Sequence, residues 1–210
     1  MSEFKSINVE NINIVDKDGA VRMRIFNNEN IPPAIMDGKD FLPGHRQKDP
    51  IAGLMFYNGE GDECGGLIFG SKKDDIGNYE SYASLTFDQY KQDQVVQMHY
   101  IDENGQKNYG ISIYDRPNTP LPELVERTHK IQKSELSDED VERELKNIWE
   151  GNTPRAFMGK NSTGEVTVQL SDSKGKPRIR MVVDENDVPR MEFLDGEGIV
   201  TYKIPPETEM

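Results

Sequence analysis

The chain has 210 residues, enough for one large β domain or two small ones. Its 25 Lys and Arg face 38 Asp and Glu, a net charge of −13, which repels phosphate backbones and anionic lipid and excludes nucleic acid and membrane surfaces as expected partners. Cys64 is the single cysteine, so no intrachain disulfide forms and the secreted disulfide scaffolds are excluded.

Met1 to Lys5 hold no basic stretch leading into an apolar run, and no segment approaches the roughly 18 apolar residues of a membrane span. The expected location is therefore the cytoplasm. Only 34% of the residues are hydrophobic, which raises disorder as an alternative. Their arrangement argues against it: they alternate in runs bounded by turn residues, as half-buried strands do.

The first element is a hairpin around Asp16-Lys17-Asp18-Gly19, with Ile12 and Ile14 before the turn and Met23 and Ile25 after it. The same unit recurs at Asp172-Ser173-Lys174-Gly175, with Val168 and Leu170 before and Ile179 and Met181 after. Two weaker copies follow Gly61 (Leu67, Phe69) and Gly105 (Ile111, Ile113). In all four the apolar positions that follow the glycine stand an even number of residues after it, so they point to one face of a strand. Between Asn27 and Pro50 the pattern is irregular, with a small hairpin predicted at Asp37-Gly38.

The period changes after Thr119. Leu121, Leu124, Val125 and Ile131 fall at helical spacing, then Ser137 precedes Asp138, Glu139 and Asp140 as an N-cap would. Val141, Leu145, Ile148 and Trp149 form one stripe, and Gly151 with Pro154 ends it. The spacing predicts a helical pair over about 120–150, with ion pairs Glu139/Arg143 and Glu142/Lys146. From Glu165 to Ile204, turns every 11 or 12 residues predict a continuous antiparallel meander.

The expected fold is mainly β: antiparallel hairpin repeats and a meander in a sandwich- or barrel-like sheet assembly. The expected organisation is an N-terminal β region over 1–118, a helical hairpin over 119–151 and a C-terminal meander over 152–210.

Most catalytic patterns fail on their chemistry. Gly65 to Gly70 is followed by Ser71-Lys72, the reverse of the Lys-then-Ser order a phosphate loop needs. Cys64 sits beside Asp62 and Glu63, which disfavour a thiolate. One Cys and three scattered His offer no chelating pair, so no metal and no cofactor are expected. Arg22, Arg24, Arg178, Arg180 and Arg190 lie on polar strand positions and are expected to pair across strands with carboxylates such as Glu165 and Glu192.

Composition singles out the middle of the chain, where seven of the eight tyrosines fall. Tyr57, Asp88, Tyr90, Gln92, Asp93, Gln94 and His99 combine aromatic faces with amide and carboxylate groups, the chemistry of a polar ligand or protein surface. Two motifs there, Phe56 to Gly70 and Leu85 to Gln97, resemble a family of uncharacterised bacterial proteins, over roughly Ile12 to Pro120. The resemblance implies a bacterial source and brings no activity or ligand with it.

The expected function is non-catalytic: a β-hairpin protein that binds or assembles, forming a homo-oligomer because open sheets leave edges to cover. The alternative is a hydrolase or carbohydrate-active enzyme whose carboxylates meet only in the fold, with Asp88, Asp93 and His99 as its first suspects.

Overall fold

A computed structural model describes residues 5–206 of the chain; residues 1–4, on which the leader reading partly rests, lie outside the described residues. In chain order the elements are β1 (Asn11–Val15), β2 (Val21–Phe26), the short β3 (Ile35–Met36) and β4 (Lys39–Asp40), β5 (Ile51–Tyr57), β6 (Glu63–Lys73), β7 (Tyr79–Asp88), β8 (Gln94–Glu103) and β9 (Gln106–Asp115). Then follow α1 (Leu121–Gln132), α2 (Asp138–Ile148), β10 (Thr153–Lys160), β11 (Val166–Ser171), β12 (Pro177–Val183), β13 (Pro189–Leu194) and β14 (Val200–Ile204).

Twelve of the strands form one antiparallel sheet, ordered β1-β2-β5-β6-β7-β8-β9-β10-β11-β12-β13-β14. The fold is mainly β, as expected, and the predicted C-terminal meander is present as β11 to β14. β9 pairs directly with β10 across the helical insertion, so both β regions share this sheet. β1 and β14 are its two edges, so the barrel-like option is not closed, while a sandwich-like use of the sheet remains compatible with it.

One turn chemistry builds most of the meander. In the turn at Asp172 the backbone N–H of Asp172 donates to Lys176 O at 2.9 Å and that of Gly175 donates to Asp172 O at 3.0 Å. The Asp172 carboxylate accepts from the N–H groups of Lys174 (2.9 Å) and Lys176 (3.1 Å), closing the loop from within. Asn58, Asp74, Asn161, Asp184 and Asp195 repeat the arrangement. Its fourth residue takes the left-handed backbone, φ +78° at Gly175, which glycine adopts without strain. At the Asp184 turn that place is held by Asp187 at φ 61°, a short polar residue that tolerates the region. Because each carboxylate is held by its own turn, Asp172, Asp184 and Asp195 lie below the usual carboxylate range.

The helical pair forms as predicted. Ser137 Oγ accepts from Asp140 N at 3.2 Å, and acidic Asp138, Glu139 and Asp140 occupy the positive end of α2. Arg143 pairs with Asp140 at 2.5 Å and approaches Glu144 at 3.9 Å, rather than taking the Glu139 partner expected from spacing. The reason is the cap: the Ser137 hydroxyl donates to the Asp140 carboxylate at 2.8 Å and holds it one turn below the guanidinium.

The core is small and one-sided. Phe26, Ile31, Ile51 and Met55 are buried, with Tyr57, Ile68 and Tyr82 packed against them. They lie where the irregular segment 27–50, with its β3–β4 hairpin at Asp37-Gly38, folds over β2, β5 and β6. Leu124 and Ile148 are buried in the helical pair. No helix among the described residues is long and apolar enough to cross a membrane.

Candidate functional site

The register of the sheet sorts its side chains onto two faces. One row runs through Ile12, Ile25, Leu54, Leu67, Leu85 and Met98, then through Ile111, Met158, Val168, Met181, Met191 and Ile204. It is apolar on all twelve strands. The neighbouring row from Ile14 to Tyr202 is apolar too, passing through Phe56, Gly65, Phe87 and Ala156. A third, from Ala52 to Pro189, carries one charged residue, Lys160. The one-face parity expected of the repeats is therefore real, with Leu67, Phe69, Ile111, Ile113, Val168 and Leu170 all on this side.

That apolar side is the uncovered one. Phe87 is 55% exposed, Met158 53%, Met98 52% and Met181 50%, although the alternation by itself suggests a side turned toward a core. Segment 27–50 and the helices sit on the opposite face instead. The shallow depressions on the apolar side are lined by strand residues such as Met98, Tyr100, Tyr109 and Met158, with no helix residue among them.

The opposite face is polar. Its middle row runs Asn13, Arg24, Met55, Gly66, Thr86, Gln97 and on to Gln169, Arg180, Glu192 and Lys203. Arg180 pairs with Glu192 at 2.6 Å and Arg190 with Glu165 at 2.9 Å, the cross-strand pairing expected of these arginines, and Arg190 also meets Glu192 of its own strand at 3.1 Å. Over β5 to β8 this face, the 34–50 segment and the ends of the helices enclose a cleft of about 740 Å³.

Five of the seven residues expected to contact a ligand line that cleft: Asp88, Gln92, Asp93, Gln94 and His99. Tyr57 and Tyr90 do not. Tyr57 is half-buried beside the core, and Tyr90 is exposed at a turn tip, where its hydroxyl donates to Glu60 at 2.9 Å. Gln92 is buried and already engaged: its amide donates to Thr119 O at 2.7 Å and accepts from Asp93 N at 3.0 Å. Together with Leu121 N donating to Lys91 O at 2.9 Å, it fixes the start of α1 against the β7–β8 turn. Sequence reasoning missed Arg46, Glu63, Thr86, Gln97 and Trp149 as lining residues. They come from five separate segments and share no local pattern.

Asp88 is the unusual group of the cleft. Its Oδ1 is buried with no hydrogen-bond partner among the described residues. Burial, followed by the negative charges of Glu63 and Asp93, pushes its pKa up to about 7. Glu63 is paired with Arg46, and Asp93 lies 3.8 Å from Arg116, whereas Asp88 has no ion-pair partner among the described residues. Burial and then Asp88 and Glu63 also push up the Cys64 thiol, consistent with an unreactive cysteine.

Asp88 and His99 do not meet. His99 stands opposite Ser84, four residues along β7 from Asp88, a separation of roughly 13 Å at strand rise. The His99 ring stacks on Phe157 and bonds Asn108 Oδ1 through Nε2 at 2.9 Å, leaving Nδ1 buried without a partner among the described residues.

Asp37, Glu60 and Asp62 bring carboxylate oxygens within 4.8 Å of one another, as metal ligands do. The Lys91 ammonium occupies the middle of this group, paired with Asp37, 3.1 Å from Glu60 and 3.5 Å from Asp62. Hydrogen bonds to Asp37 and then Glu60 hold its pKa well above the usual lysine range, so the group already has its cation. Lys91 thereby ties three turns together.

No family model matches the chain, and neither a curated protein nor a solved structure does.

Proposed function

We propose that the protein is a non-catalytic assembly module whose working surface is the apolar face of the sheet, buried in a homo-oligomer. The observation that supports this is the unbroken apolar row from Ile12 to Ile204, exposed in the single chain. Monomeric soluble proteins seldom expose apolar patches beyond a few hundred Å², and larger ones mark interaction surfaces. The face holds almost no charge, whereas the ion pairs and the cleft lie on the other side, so association leaves the acidic surface in water.

Methionine oxidation tests this reading directly. Met98, Met158 and Met181 are half exposed in the single chain, so an uncovered face would let peroxide reach them freely. At micromolar concentration they are expected to oxidise roughly tenfold more slowly than in urea, with light scattering reporting more than one chain. A single-chain mass with unprotected methionines would overturn the reading.

A second reading is favoured by the partnerless Asp88 oxygen: the cleft takes a polar ligand that supplies a hydrogen-bond donor there. Polyols and small organic ammonium compounds are suitable probes, read by NMR shifts at Gln94 and His99. If none shifts these signals at millimolar concentration, the cleft is structural. The hydrolase alternative needs a second group beside Asp88; His99 stands too far along the strand, which leaves Asp93, in the same cleft, as the group it would use.

A further inference from the structure

The apolar band is two residues wide over all twelve strands and three wide over the nine from β5 to β13. With about 4.8 Å between strands and about 6.7 Å between same-face neighbours along a strand, its footprint is roughly 1,000 Å². A specific interface of standard size takes about 800 Å² from each partner. The band alone is a full interface.

Resting on the assembly reading, we propose that its occupant is the same band of a second copy, the two sheets stacked face to face about a two-fold axis that lays the middle row on the middle row. Stacked sheets interdigitate only where their spacings agree, about 4.8 Å across strands and two residues along them, and a second copy matches both. The surface offers few directional polar groups with which to select a different partner: the hydroxyls of Tyr100, Tyr109 and Tyr202 and the Lys160 ammonium, all in the outer rows.

The outer rows carry a further match of size. Phe87 is flanked four residues away on its own strand by Ala83, Phe69 by Gly65, and Phe56 by Ala52. A two-fold along the middle row exchanges the outer rows, so each of these three phenylalanines meets the small residue of its own strand in the second copy. A two-fold parallel to the strands sets Phe87 against Ala156 instead, because β7 and β10 are equidistant from the centre of the strand order. The first axis puts large against small on all three strands and the second does so at Phe87, the interdigitation that a close-packed layer requires. Lys160, at the rim of the band, meets an alanine in both cases and can run its aliphatic stem past it to water.

Met98 decides the question. It lies in the middle row on the sixth of the twelve strands, so it stands on one axis and beside the other. The full chain carrying Cys64→Ser and Met98→Cys is oxidised at micromolar concentration, beside a control with Cys64→Ser and Gln169→Cys on the polar face. The expected result is roughly tenfold more covalent dimer from Met98→Cys than from the control, with two chains by light scattering for the wild type. Should Met98→Cys lose the wild-type far-UV spectrum, Ile111→Cys, its cross-strand neighbour, carries the same expectation. A mass of one or three chains, or cross-linking no better than the control, overturns the two-fold stack. In the three-chain case protected methionines would leave the assembly reading standing, and a single chain with unprotected methionines would remove both.

Discussion

Arg46 and Glu63, seventeen residues apart, form the joint that holds the irregular segment onto the sheet. The guanidinium grips both carboxylate oxygens, Nη1 to Oε1 at 2.9 Å, while Nε and Nη2 reach the carbonyls of Pro32 and Pro33 at 2.9 and 3.0 Å. The pair is largely buried, so removing one member strands the other charge. Arg46→Ala is expected to cost about 3–5 kcal/mol in urea unfolding. Arg46→Lys should recover little of it, because an ammonium cannot make the forked contact. A loss below about 1 kcal/mol would mean the segment is held elsewhere.

Asp88 should make stability depend on pH. Its folded pKa of about 7 lies above its ordinary value of 3.8, so between these limits the folded chain binds more protons than the unfolded one. The contribution of Asp88 is therefore greatest at acid pH and is lost as pH rises through 7. The full swing is on the order of 2–4 kcal/mol. Asp88→Asn removes the titration, so it should stabilise the protein at pH 8 and flatten this part of the profile. Parallel profiles for wild type and variant in urea titrations would refute the assignment.

Two turn glycines should differ in their response to alanine. Gly175 sits at φ +78°, with Thr153 Cγ2 only 3.1 Å from where a Cβ would stand, so Gly175→Ala should cost about 1–2 kcal/mol. Gly196 has neither a left-handed backbone nor a neighbour within 4 Å, and Gly196→Ala should stay within about 0.5 kcal/mol of wild type. Chemical denaturation of the pair reads the difference.

If the apolar face is buried by association, melting should depend on concentration. Folding coupled to assembly raises the melting temperature as protein concentration rises. The double substitution Met158→Lys with Met181→Lys should abolish that slope while leaving the far-UV spectrum intact, since both side chains are half exposed in the single chain. Calorimetry over a hundredfold concentration range, about 1–100 μM, would show a flat wild-type melting temperature if the expectation is wrong.

Tyr90 is expected to matter little to folding. Its ring is 66% exposed and its hydroxyl meets only the exposed Glu60 carboxylate. Tyr90→Ala should change stability by less than about 0.5 kcal/mol. A larger loss in thermal melting would reveal packing that the contacts do not show.

The hairpins were legible because their causes are local. The Asp172 carboxylate bonds N–H groups two and four residues on, Gly175 supplies the left-handed backbone, and the alternation of Ile179 and Met181 sets the face, all within ten residues. Ser137 and its acidic followers marked α2 for the same reason. The candidate site was only half legible. Asp88 and Gln94 could be named from the density of polar groups, but Tyr90, in the same run, points away from the cleft. Arg46 and Trp149, which wall it, stand far from that run and look ordinary in sequence.

The residue order by itself determined the strands, the turns, the helical pair and the gathering of apolar side chains onto one side of the sheet. Those follow from a period of two and from turn hydrogen bonds that span four residues. Only the tertiary structure decided which side is covered. Segment 27–50 and the helices are held to the polar face by Arg46 reaching Glu63 and by Gln92 reaching Thr119. Such contacts depend on where distant segments come together, which no alternating pattern encodes, and so the face that reads as a core is left open.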